Sequence, residues 1–221
     1  MRELERVRAF LLGVGVLASC TPRVAPCVAP DGCAPRQTCM AGRCAPIGSE
    51  VASAEAQRLV VAPSEIAVVS ARARDGTLPA EIPFGSAPAG SIVLLLRFPT
   101  PWGNRARVAS AFLTLEPAPG AFPETESVPM EVSRVLEPWT ASDVSWARMP
   151  RLSPPEARAL ATARPPKTLR IDVTSIVQRW ARGRSQDQGM ALVAGPKAPV
   201  GVTYVTGVSG ARGPRLDVYL R

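Results

Sequence analysis

The chain has 221 residues, 46% of them apolar, and a formal net charge of +8, which suits one globular domain plus a tail. It contains no histidine, which excludes Ser-His-Asp and Cys-His catalysis and His-ligated zinc sites. The positive charge is almost all arginine and is dispersed along the chain, so we interpret it as compositional and expect no nucleic-acid partner.

Residues 1–19 are predicted to be a secretion signal. A basic start is followed by an apolar run, Ala9 to Ala18, that is too short to span a bilayer. The run leads into Leu17-Ala18-Ser19-Cys20, which resembles the bacterial lipobox. In that signal, cleavage falls before the cysteine, whose thiol receives a diacylglycerol, so the resemblance implies that Cys20 anchors an exported chain to a membrane. Thr21 follows the cysteine in place of the aspartate that commonly retains such lipoproteins at the inner membrane, so the resemblance favours the outer membrane or cell surface. The alternative is an ordinary cleaved signal with an incidental cysteine.

The segment 20–46 is predicted to be a Cys-rich stalk. Beyond Cys20 it holds every other cysteine of the chain, which are Cys27, Cys33, Cys39 and Cys44. An even number of cysteines in an exported, loop-rich segment predicts two disulfides, with three connectivities open. The alternative is a four-cysteine metal site, but the spacing lacks the CxxC pairs that zinc modules favour, so we expect no metal. Residues 47–56 are predicted to be a linker.

Residues 57–221 are predicted to form an all-β domain. Short apolar runs recur between prolines and glycines, which is typical of an antiparallel sandwich. The run 92–96 is apolar throughout and indicates a strand covered on both faces. Period-two alternation, which places one face on a core and the other towards water, predicts further strands. They lie at residues 108–115, 130–135, 169–173 and 215–220.

Three details complete the secondary-structure prediction. In the strand 108–115, alternation places Val108 on the same face as Ser110. Residues 174–183 break the period and predict a short helix that Thr174 caps and Gly183 ends. Residues 148–167 are rich in Pro and Ala and are predicted to be a long loop with one helical turn.

The order and spacing of several segments resemble the DNRLRE family of exported domains, which is close to disaggregatase-related repeats and some carbohydrate-binding modules. The resemblance covers roughly residues 60–221. It implies a jelly-roll-like β-sandwich that serves as an accessory domain, and some relatives bind polysaccharide. The segments that carry it are Leu95-Leu96-Arg97-Phe98, Arg107 to Leu115, Val132 to Val135 with Pro138-Trp139-Thr140-Ala141-Ser142-Asp143-Val144-Ser145-Trp146, Ile171 to Trp180, Gly189 to Leu192 and Pro214 to Tyr219.

The aromatic residues divide into two groups. Trp139, Trp146 and Trp180 lie at the motif positions, and we expect them to plug the sandwich and dock the helix; the alternative is a platform that stacks on sugars. Trp102 and Tyr204 are predicted to be the exposed aromatics and therefore the candidate ligand contacts.

Two charged residues lie inside predicted strands. Arg97 and Asp172 are candidates for a pair beneath a binding surface, or for structural ion pairs or a solvated face.

No motif predicts an active site or a cofactor. The only chemistry left is a carboxylate pair, as in glycosidases, and no recognisable motif holds one. The sequence therefore predicts a non-catalytic, lipid-anchored envelope protein whose sandwich binds polysaccharide or acts as an adhesion or structural module. The alternatives are a glycan-cleaving enzyme and a scaffold that binds other envelope proteins. The carboxylates that such a glycan-cleaving enzyme could use as its pair are Glu116, Glu124, Glu126, Glu131, Glu137 and Asp143.

Overall fold

The computed structural model describes most of the predicted domain and part of the Cys-rich segment. The predicted signal, with Cys20, lies outside the described residues, as does most of the predicted linker. The described residues are 25–27, 32–47, 56–70, 78–85, 92–103, 106–119, 127–162, 168–183, 188–195, 201–208 and 212–221.

The Cys-rich segment is a hairpin held by two disulfides. Strands β1 (Gln37–Met40) and β2 (Arg43–Pro46) are antiparallel. They are joined by Ala41 and Gly42, both with positive φ, as a tight hairpin turn requires. Of the three possible connectivities, the protein has Cys27–Cys39 and Cys33–Cys44. All four sulfurs are thereby paired, so they do not act as thiolate ligands for a metal. We call the described part of this segment, 25–27 and 32–47, the disulfide module.

The first large sheet has four antiparallel strands. They lie in the spatial order β10-β7-β13-β3, so β3 and β10 are the edges. These strands are β3 (Gln57–Val61), β7 (Val108–Leu115), β10 (Leu169–Asp172) and β13 (Arg215–Leu220).

The second large sheet has five antiparallel strands in the order β4-β6-β11-β8-β9. They are β4 (Glu65–Ser70), β6 (Ile92–Arg97), β8 (Ser127–Arg134), β9 (Ala157–Thr162) and β11 (Met190–Ala194). A small two-stranded sheet pairs β5 (Glu81–Phe84) with β12 (Val202–Val205). The fold is the predicted jelly-roll-like antiparallel sandwich.

The main core lies between the two large sheets. Side chains such as Leu94 and Leu96 of β6 meet Leu113 and Leu115 of β7, and all four are fully buried. The helix α1 (Thr174–Ala181) packs on the same core through Ile176, Val177, Trp180 and Ala181. With eight residues, this helix of the described chain is too short and too polar to cross a membrane.

The helix start differs in detail from the prediction. Thr174 is its first residue and not its cap. The Asp172 carboxylate accepts hydrogen bonds from both the backbone amide and the hydroxyl of Thr174, at 3.0 and 2.6 Å. Gly183 follows the helix with φ at +64°, as predicted for its end.

A register shift moves Val108 to the core face. In the pairing of β7 with β13, Leu220 opposes Val108 while Tyr219 opposes Ser110, so Ala109 is an extra residue. The extra residue reverses the alternation. Val108 therefore joins the main core, and the prediction that it lies on the same face of the strand as Ser110 is wrong.

The predicted loop at 148–167 contains the strand β9. It pairs with β8 along its whole length and turns Ala157 and Ala161 into the main core, while Arg158 and Leu160 face solvent. The segment carries a period-two pattern, but its small residues have low strand propensity, and the neighbouring strand decides its conformation.

Each large sheet is also covered on its outer side. On the five-stranded sheet, Val93 and Leu95 of β6 face away from the main core and are nonetheless buried, as predicted for a strand covered on both faces. Residues 136–152 supply that cover, because Trp139, Val144 and Leu152 pack in the same cluster.

The disulfide module covers the outer side of the four-stranded sheet. The Ser110 hydroxyl donates to the carbonyl of Ala41, and the Arg170 guanidinium donates to the carbonyl of Cys27. Arg43 forms an ion pair with Asp172 at 2.5 Å. The segment is therefore docked on the sandwich and is not a free-standing stalk. The stalk prediction was wrong because strand alternation assigns the outer face of this sheet to water and gives no sign that another segment covers it. Phe112 lies on that outer face and is only 1% exposed.

Candidate functional site

The loop 136–152 lines two concave surfaces of the described chain. Its ends are held together by a bridge between Val135 and Leu152 and by the amide of Leu136, which donates to the carbonyl of Arg151 at 2.9 Å. A turn within it is closed by the amides of Asp143 and Val144, both 3.1 Å from the carbonyl of Thr140. The loop is therefore an ordered structure.

Trp139 fixes this loop to the sheet. Its indole is 6% exposed, and Nε1 donates to the carbonyl of Gln188 at 2.6 Å. The guanidinium of Arg97 lies 4.8 Å from the centroid of the indole and also donates to the Trp139 carbonyl. A cation over an aromatic face is attractive. Arg97, at the end of β6, therefore contacts Trp139 twice.

Glu65 of β4 completes the network. One of its carboxylate oxygens accepts from Arg97 at 2.5 Å, and the other accepts from the amide of Ala141 at 2.5 Å. Arg97 was predicted as a candidate partner of Asp172. It instead pairs with Glu65, and Asp172 lies on the other sheet, where it pairs with Arg43.

Two adjoining depressions lie along the loop, with volumes of about 590 and 330 Å³. They share Pro138, Trp139, Thr140 and Asp143, and we call them together the loop cleft. The first adds Arg97 and Gln188, and the second adds Glu137, Val144, Arg148, Met149 and Pro150. The cleft thus presents cationic, anionic and amide groups around one tryptophan.

Trp146 is the exposed tryptophan of this region. It lies in a turn closed by the amide of Arg148, which donates to the carbonyl of Ser145 at 3.0 Å, and its side chain is 44% exposed. We expected Trp146 to plug the sandwich with Trp139 and Trp180. That expectation is wrong for Trp146, because β8 ends at Arg134 and its alternation does not continue into the loop. Trp180 is 5% exposed and docks α1.

The two predicted ligand aromatics are not at this cleft. Tyr204 is 1% exposed in the main core, so its predicted exposure is wrong. It points inward with Val202 on β12, and burial raises the pKa of its phenol above the ordinary value. Trp102 is half-buried against the main core, so its predicted exposure is also wrong. Its indole Nε1 is buried without a hydrogen-bond partner among the described residues.

A second groove, of about 640 Å³, lies beside the edge strands β3 and β4. Arg58, Arg212 and Arg215 line it. Arg58 pairs at 2.7 Å with Asp217, which is 1% exposed and also accepts from Thr114. The hydrogen bond with Asp217 raises the pKa of Arg58, and burial opposes that rise. Because Arg215 likewise pairs with Glu116, this groove is mostly neutralised.

The carboxylates considered for catalysis are mostly engaged elsewhere. Glu116 pairs with Arg215 and Glu131 pairs with Arg158. Glu124 and Glu126 lie outside the described residues. Among the carboxylates in the described residues, Glu137 and Asp143 line a common depression. Glu137 accepts from the amide of Arg151 at 2.9 Å, and Asp143 accepts from the hydroxyl of Thr140 at 2.7 Å.

A comparison with protein-family models finds no matching family, and a comparison with curated proteins finds no matching relative.

Proposed function

We propose that this chain is a non-catalytic, lipid-anchored envelope protein whose sandwich binds polysaccharide at the loop cleft. The observation that carries the proposal is the half-exposed Trp146, which lies on the same loop between Val144 and Arg148, two residues that line the cleft. An exposed indole offers an apolar face to a sugar ring, and the polar groups that line the cleft can exchange hydrogen bonds with the hydroxyls of the sugar. The resemblance to DNRLRE-type domains supports the same ligand class.

The anchor belongs to the same proposal. It is supported by the lipobox-like end of the predicted signal at Cys20, by the basic n-region and by the disulfides, which persist in exported proteins. The expected location is the outer membrane or cell surface. Replacement of Cys20 by Ala should release the protein from the membrane fraction; a variant that stays with the membranes contradicts the anchor.

The ligand is tested by a glycan-array screen with the purified mature chain. We expect binding to at least one polysaccharide, and Trp146→Ala should weaken it about tenfold, equivalent to about 1.4 kcal/mol. The matched control is Leu160→Ala on β9, since Leu160 is another exposed apolar side chain, at 67%, outside the cleft. Absence of binding to every polysaccharide, or equal loss in both variants, contradicts the proposal.

A second candidate is a scaffold that binds another envelope protein. Leu136, Trp146 and Met149 are all exposed large apolar residues, at 38, 44 and 37%, and all lie on this loop. Such grouping is typical of protein contact surfaces. Retention of envelope proteins on the immobilised chain, lost in Met149→Ser and unchanged by added polysaccharide, would favour this candidate.

A further inference from the structure

The two coverings of the sandwich lie on opposite sides. The disulfide module packs on the outer face of the four-stranded sheet, where Gly42 approaches Phe112, Arg170 and Tyr219. The loop cleft is built on the outer face of the five-stranded sheet, where Trp139 packs over Leu95. Because the two sheets face each other across the main core, the full thickness of the domain separates the module from the cleft.

The module is held by contacts at several points. Ser110 and Arg170 of the sheet donate hydrogen bonds to the carbonyls of Ala41 and Cys27. In addition, Arg43 of the module donates to Thr174 at 3.1 Å and pairs with Asp172. The module is also closed on itself, since Cys44 donates its amide to the carbonyl of Ala25 at 2.9 Å. Ala25, the first described residue, is therefore held on the four-stranded side.

The remaining tether is short. Residues 21–24 separate Cys20 from Ala25, and five chain steps span at most about 18 Å. The sandwich itself is about 40 Å across for a domain of this length. A tether shorter than the body limits how far the body can turn over the point of attachment.

From this arrangement we infer that the disulfide module is an orienting clamp. It fixes the exit of the N-terminal tether on one face, so that the loop cleft points away from the membrane to which Cys20 is attached. The membrane part of this inference rests on the proposed function. The clamp makes the cleft accessible to a polymer outside the bilayer and holds the four-stranded side towards the lipid surface.

The experiment measures energy transfer from two labelled positions to acceptor lipids. The chain from Cys20 onwards is coupled through its Cys20 thiol to maleimide lipids in phosphatidylcholine vesicles, which are zwitterionic and do not attract the net positive charge. A dye is placed, through an encoded azide residue, either at Arg36 of the module or at Ala147 beside Trp146; both side chains are exposed. We expect stronger transfer from position 36 than from position 147.

Two variants test the cause of that difference. Insertion of a long Gly-Ser segment after Thr21 leaves every described residue unchanged but frees the body to turn, and should abolish the difference. Gly42→Val should undock the module and have the same effect. Equal transfer from both positions in the unmodified chain, or an undiminished difference after insertion, overturns the inference. Because the attachment is chemical, the result does not depend on natural lipidation, which mass spectrometry of Cys20 from cells tests separately.

Discussion

The guanidinium carbon of Arg170 lies 3.9 Å from the centroid of the Phe112 ring, and the ring of Tyr219 stands nearly perpendicular to that of Phe112, with centroids 6.2 Å apart. This cationic-aromatic cluster is on the outer side of a sheet, where alternation predicts solvent. It is buried because the hairpin turn of the disulfide module lies on it. The contact makes a small disulfide-bonded segment part of the domain.

Gly42 is the position most sensitive to substitution at this contact. It has φ at +80°, and a Cβ there would lie 2.5 Å from Phe112 and 2.8 Å from both Arg170 and Tyr219. We expect Gly42→Ala to lower the free energy of unfolding through backbone strain of about 1–2 kcal/mol and overpacking of about 1–3 kcal/mol. Thermal and denaturant unfolding of the purified chain measure the loss.

The matched control is Gly103→Ala. Gly103 also has positive φ, at +68°, but a Cβ there would meet nothing within 4 Å. The control therefore carries the backbone strain without the clash. If Gly42→Ala and Gly103→Ala destabilise the chain equally, the turn does not pack on the sheet as described.

The sandwich was predictable from sequence because its main strands have clear period-two or wholly apolar patterns. The run 92–96 and the strand at 215–220 both correspond to strands of the fold, β6 and β13. What sequence could not supply was contact between segments distant in the chain. The burial of Phe112 depends on residues about 70 positions away, and no local pattern reports such a contact.

The candidate site was only partly predictable for a related reason. The motif tryptophans were identified, but Trp146 was assigned to the core and Tyr204 to the surface, and both assignments were wrong. Tyr204 lies two residues after the buried Val202 on β12. That spacing places both on one face, which was the available signal. For Trp146 the sequence held no signal of exposure, since residues in a turn do not alternate between a buried and an exposed face.

The network of Arg97, Glu65 and Trp139 should couple the loop to the sheet. Side chains of Arg97 and Glu65 are 26 and 22% exposed, so their pairing is partly screened and we expect a coupling free energy of about 0.5–1.5 kcal/mol. A double-mutant cycle of Arg97→Met and Glu65→Gln measures it. Arg97→Met should also speed hydrogen exchange at the amide of Ala141. Additive effects of the two substitutions would contradict the coupling.

The carboxylates of the loop cleft should bind and not cleave. Glu137 accepts a hydrogen bond from the amide of Arg151 and Asp143 accepts one from the hydroxyl of Thr140, so both carboxylates are engaged in holding the loop together. We therefore expect no release of reducing sugar from any polysaccharide that the chain binds. Asp143→Asn and Glu137→Gln should change affinity only severalfold. Reducing-end release that disappears in either variant would favour the glycan-cleaving enzyme over the proposed function.

Tyr204 should make the protein sensitive to alkaline pH. Its phenol is buried in the main core, and burial raises its pKa above the ordinary value of 10.0. Between that value and the higher pKa of the folded state, the unfolded chain loses the proton while the folded chain keeps it. The folded state then binds more protons, so its stability falls as pH rises. From pH 9 to pH 11 the loss attributable to this group is about 1.4 kcal/mol.

Denaturant unfolding of the unmodified chain and of Tyr204→Phe at both pH values separates this effect from all other titrations. Phe keeps the ring, and with it the contact to Phe84 at 6.2 Å between centroids, but has no proton to lose. The difference in unfolding free energy between the two proteins should therefore shift by about 1.4 kcal/mol in favour of Tyr204→Phe as pH rises. An unchanged difference would mean that the Tyr204 hydroxyl reaches solvent, contrary to its place in the core.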